Sequence, residues 1–137
     1  MERYEFSKAE QLRRQEITEH TRQMLLDTLE IQGTEGLSLM TQYKGYYLQL
    51  SFSVLHPLLV ICLARILNKA STPRQREMAN ELNLNSILGS HAINDDIGCY
   101  SYRATQWLDA ELDVRRFFEI LDRCIEEADR GFHALQE

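Results

Sequence analysis

Residues 57–67 read PLLVICLARIL, and their conformation decides the fold. Two readings fit the run: a buried helix, or a strand apolar on both faces. Pro57 at its start, and β-branched Val60 and Ile61 within it, favour the strand. A strand of that kind needs cover on both faces. One face is expected to meet the chain's own helices and the other a second copy of the chain. Leu59, Ile61 and Leu63 are the strand's candidates for a partner or dimer surface, with Tyr47, Tyr100 and Tyr102 beside them. The apolar run is far short of the ~20 residues that cross a bilayer as a helix.

Upstream, the period is two. Leu37, Leu39, Thr41 and Tyr43 alternate with Ser38, Met40 and Gln42, and Tyr46, Leu48, Leu50 and Phe52 alternate with Tyr47, Gln49, Ser51 and Ser53. Lys44-Gly45 between them has turn chemistry, so the pair reads as a hairpin with one apolar face. Before it, Ser7 to Thr28 reads as a helix. Ser7 is its cap, Glu10 stands three residues on, and Ile17, Thr21, Met24, Leu25 and Thr28 form a stripe. Gly33 and Gly36 end that segment, and Gly33-Thr34-Glu35-Gly36 reads as a turn.

Downstream, Thr72-Pro73-Arg74-Gln75 opens a helix: Thr72 caps, Pro73 takes the first helical position, and Gln75 reaches back. Met78, Ala79 and Leu82 form its apolar face, and Asn83 and Asn85 end it. A second hairpin joins His91–Asn94 to Ile97–Ala104 through Asn94-Asp95-Asp96-Ile97-Gly98, with the register open. The last helix, capped by Asp109 or Asp113, keeps a stripe from Val114 through Phe117, Leu121, Cys124 and Ala128 to Leu135. The order is αβββαββα. It predicts an α+β fold, a mostly antiparallel five-stranded sheet packed with three helices, and one domain over residues 1–137.

Composition narrows the function classes. The chain has 137 residues, a net charge of −6 and three cysteines. Acidity disfavours nucleic acid and anionic membrane surfaces as partners. The odd, widely spaced cysteines and an N-terminus without an apolar signal-peptide region point to the reducing cytoplasm.

The search for chemistry assigns no catalytic residue, cofactor or metal site. Glu16 and His20 lie one helical turn apart with no third ligand, and His91 and Cys99, expected near each other across the second hairpin, also lack one. Cys62 and Cys124 sit in apolar patterns, as inert thiols do. No phosphate-binding glycine motif or nucleophile elbow occurs. Asp95 and Asp96 are adjacent in a turn, where solvated carboxylates do no acid–base work.

The second half resembles the YbjN-like family, whose fold is shared with class I type III secretion chaperones. The resembling residues are the apolar strand Leu58–Leu67, the proline-led helix Thr72–Asn83 with its ending Glu81-Leu82-Asn83-Leu84-Asn85, the hairpin Ser90–Ala104, and the long helix with Ala128-Asp129 near its end. The first half agrees in element order. Gly131 and Phe132 follow the alanine–aspartate pair where the family often has a proline. The resemblance implies a non-enzymatic, cytoplasmic, often dimeric protein. Chaperones of this fold bind an extended segment of a partner, and the YbjN-like proteins are described as regulators.

These readings converge on a homodimeric protein-interaction module, a chaperone or regulatory adaptor, that binds a polypeptide of unknown identity. The rival expectation is a small-molecule binder or enzyme with a pocket between helix and sheet, lined by His91, Cys99 or Arg103.

Overall fold

The computed structural model describes residues 7–53, 56–67, 72–94, 98–109 and 112–136. Its elements are α1 (Lys8–Thr28), β1 (Gly33–Glu35), β2 (Ser38–Tyr43), β3 (Tyr46–Phe52), β4 (Leu58–Ile66), α2 (Pro73–Asn85), β5 (Gly89–Asn94), β6 (Cys99–Trp107) and α3 (Val114–Gln136). The deciding stretch is a strand. β4 pairs antiparallel with β3 on one side and along its whole length with β6 on the other, from Leu58 opposite Trp107 to Ile66 opposite Cys99. The sheet runs β1-β2-β3-β4-β6-β5, every neighbouring pair antiparallel.

The local signals explain most of these elements. Lys44 and Gly45 both take positive φ, +47° and +88°, as the two-residue turn between β2 and β3 requires. Thr72 and Gln75 bond each other's backbone N–H at the start of α2 (3.2 and 2.9 Å). Ser7 Oγ accepts from the Glu10 N–H at 3.1 Å, while the Glu10 carboxylate turns to Arg14 at 3.0 Å. Asp113 caps α3 by accepting from the Arg116 N–H at 2.8 Å.

The sheet has six strands where the sequence predicts five. The additional one is β1, within the stretch read as a turn. Gly33, Thr34 and Glu35 carry no apolar alternation to announce a strand. What makes them one is main-chain pairing with Met40, Leu39 and Ser38, closed by Gly36 at φ +58°. The second hairpin is also longer than the sequence suggests, and His91 lies opposite Tyr102 while Asn94 lies opposite Cys99. His91 and Cys99 are therefore not cross-strand partners. Asp95 and Asp96 lie outside the described residues.

One parity of the sheet builds the core. Leu39, Leu48, Leu50, Leu59, Ile61, Leu63, Tyr100 and Tyr102 join Leu25 of α1, Ala79 of α2 and the stripe Phe117, Leu121, Cys124, Ala128 and Leu135 of α3. Each fully buried Leu or Phe contributes ~2 kcal/mol. Three tyrosines bolt α3 to this face: Tyr43 donates to Asp122 (2.8 Å), Tyr46 to Asp129 (2.7 Å) and Tyr102 to Glu127 (2.6 Å). Burial, then the facing carboxylate, pushes the Tyr46 and Tyr102 hydroxyls far above the ordinary phenol value. They stay protonated donors.

Candidate interaction surface

The residues expected at a partner surface divide sharply. Leu59, Ile61, Leu63, Tyr100 and Tyr102 are at most 1% exposed. They face the chain's own core, so these positions of β4 and β6 are not on an open surface. The unbroken apolar run gave β4 two apolar faces; packing against the α3 stripe decided which one is buried. Tyr47 has the opposite parity and is 57% exposed.

That opposite face is turned away from the core. Its central row crosses every strand: Gly33, Met40, Gln49, Cys62, Arg103 and Ser90 stand opposite one another in turn. Along β4 it shows Leu58, Val60, Cys62 and Ala64, all half-buried, and Ile66, which is exposed. Small side chains at Gly33, Cys62 and Ala64 lie lower than Met40, Tyr47 and Gln49. The result is a hollow of about 370 Å³ with mostly apolar walls beside β1. The hollow thus lies on the open face, and not between helix and sheet.

The hollow adjoins one end of the sheet. In a two-residue hairpin the residues flanking the turn exchange its closing hydrogen bonds, here Glu35 and Ser38. Thr34 then turns its N–H and C=O outward, and both Thr34 and Glu35 are exposed.

At the other end, β5 is covered. α2 runs beside it, and Asn83 spreads its carboxamide over the outward backbone of His91: Oδ1 accepts from the N–H at 2.5 Å and Nδ2 donates to the C=O at 3.0 Å. Glu127, 7% exposed, accepts from the N–H groups of Ile87 (2.9 Å), Leu88 (3.2 Å) and Gly89 (3.3 Å). Burial alone would raise the Glu127 pKa; the Tyr102 hydroxyl and those three N–H groups outweigh it and hold the carboxyl below its ordinary value.

The rival pocket residues are engaged elsewhere. His91 is 5% exposed, bonded through Nδ1 to the Tyr100 hydroxyl (2.6 Å) and through Nε2 to Ser86 Oγ (2.8 Å). Burial lowers its pKa, so the ring stays neutral. Cys99 is buried and Arg103 is exposed on the open face. Burial pushes the Cys124 thiol up to about 11 and raises that of Cys62. Such thiols are poor nucleophiles at neutral pH. Among the described residues, no three His, Cys, Asp or Glu side chains gather as a metal ion would need, and no helix is long and apolar enough to cross a membrane.

A second exposed apolar cluster lies where α2 turns into β5. Leu84 is 79%, Ile87 89% and Leu88 44% exposed. Sequence reasoning passed over Ile87 and Leu88 because two apolar residues in a link carry no periodicity.

No protein-family model matches the sequence, and no curated protein does. Solved structures do match. A chain of the HopA1–SchA chaperone–effector complex superposes with TM-score 0.61 at 10% identity, covering 93% of this chain and 99% of that one. A chain of the ExsC–ExsE complex gives 0.63 at 11% identity, covering 87% and 96%. YbjN from E. coli, described as a candidate transcription regulator, gives 0.60 at 11% identity, covering 85% and 89%. The chain therefore has the fold that the sequence resemblance implied, shared by YbjN and secretion chaperones.

Proposed function

We propose that this chain is a non-enzymatic, cytoplasmic protein-interaction module. It binds an extended polypeptide segment of a partner, as a chaperone or regulatory adaptor, and works as a homodimer. One observation carries the binding reading: a half-apolar open sheet face with a hollow of about 370 Å³ beside an edge strand whose Thr34 and Glu35 are exposed. An extended segment added at β1 gains main-chain hydrogen bonds, and every second side chain can reach the hollow beside Tyr47 and Met40. Matching chains come from a chaperone–effector complex and from a second two-protein complex, which supports a protein partner. The absence of nucleic acid and membrane from this reading follows from the acidic charge.

We place the second copy at the exposed Leu84, Ile87 and Leu88, and not on the second face of β4 where the sequence alone expects it. Residues 82–94 contain no Asp, Glu, Lys or Arg, so two copies of a chain of net charge −6 can meet there without like charges opposed. The test is a pair of variants. Thr34→Pro should abolish capture of a co-purifying polypeptide and leave the dimer intact. Ile87→Asp should convert the dimer to a 16.1 kDa monomer in sedimentation and leave capture intact. A monomeric wild-type chain at micromolar concentration refutes the dimer. Undiminished capture by Thr34→Pro refutes the β1 edge as the docking place.

A further inference from the structure

A six-stranded antiparallel sheet has two edges, and each is a template for another strand. Register shows which backbone groups β5 turns outward. His91 sends both its N–H and its C=O to Asn83 of α2, so the His91–Tyr102 pair is a non-hydrogen-bonded one. The alternation then places the N–H of Gly89 outward as well. Its acceptor is Glu127. The carboxamide of Asn83 thus stands where the peptide group of a neighbouring strand would stand, and Glu127 does the same for the N–H two residues earlier. Nothing comparable stands beside Thr34 among the described residues.

We propose that Asn83 and Glu127 are edge seals: Asn83 occupies both outward groups of His91 and Glu127 the outward N–H of Gly89, so that strand addition to this sheet is one-sided and an extended partner segment is accepted at β1 alone. Asn83 suits the task because one planar amide supplies a donor and an acceptor at the spacing of a peptide group. Glu127 suits it because a buried carboxylate, once given four donors, excludes a competing strand from Gly89. The inference rests on the strand-addition reading above, but the seal can be measured on the chain alone.

The experiment uses amide hydrogen exchange and sedimentation over a range of concentrations. In an Ile87→Asp background, which removes the proposed corner contact, the chain should be monomeric with the His91 amide protected at every concentration. Adding Asn83→Ala should speed His91 exchange at least tenfold in dilute solution. As concentration rises, the chain should associate and that amide should regain protection, because β5 edges now pair. An Asn83→Ala chain that exchanges His91 at the parent rate, or remains monomeric throughout, overturns the proposal. If the wild-type chain is already monomeric, the dimer reading falls, and the same readouts on Asn83→Ala alone still decide the seal.

Discussion

The two ends of the sheet are opposites. At β5, α2 lies alongside, Asn83 and Glu127 hold the outward backbone, and the adjoining His91 is enclosed by Tyr100, Ser86 and α3. At β1, three residues of strand end in exposed Thr34 and Glu35. A sheet edge left open invites association. The contrast teaches that two sheet edges of one molecule can differ in kind: side chains of α2 and α3 hold the outward backbone of β5 at Gly89 and His91, and no such side chain stands beside Thr34 among the described residues.

The strongest way to break that contrast is at Glu127. Glu127→Ala leaves the Tyr102 hydroxyl and the N–H groups of Ile87, Leu88 and Gly89 without their acceptor. Buried donors left unpaired cost ~1–3 kcal/mol each, moderated where water reaches them. A loss of about 3 kcal/mol in denaturant unfolding is expected, with exchange at residues 87–89 rising first. Gly131→Ala comes next. A Cβ there would press on His91 Nδ1 and lie 2.7 Å from the Tyr100 hydroxyl, where α3 passes closest to the β5–β6 pair. Alanine gains ~1 kcal/mol of helix propensity over glycine, but the clash should reverse the sign to a net loss of about 2 kcal/mol in the same unfolding measurement. Thr34→Pro is the smallest. Proline removes an N–H that faces outward, so the same melt should move by less than ~0.5 kcal/mol even as partner capture is lost. If it instead unfolds the chain, β1 is part of the scaffold and the contrast fails.

Local chemistry made much of this legible. The Thr72-Pro73-x-Gln75 start, the Lys44-Gly45 turn and the stripe of α3 act within a few residues, and each forms where the sequence places it. β1 was illegible because it has no side-chain pattern of its own and exists only as a partner for β2. The candidate surface was barely legible: of six residues named for it Tyr47 is exposed on the open face, whereas Leu59, Ile61, Leu63, Tyr100 and Tyr102 point into the core.

The sequence by itself narrowed residues 58–66 to a buried helix or a strand with two apolar faces, and Pro57 with β-branched Val60 and Ile61 favoured the strand; pairing with β3 and β6 made them a strand. The sequence also determined the fold class, because the order of elements and their short links leave few other ways to pair the strands. Only the tertiary structure decided which face of β4 is inside, because that depends on where the α3 stripe comes to rest. It alone decided how fully that β5 edge is closed, because Asn83 lies close to His91 in sequence but its partner in the seal does not: Glu127 is 38 residues from Gly89. No window of sequence contains both.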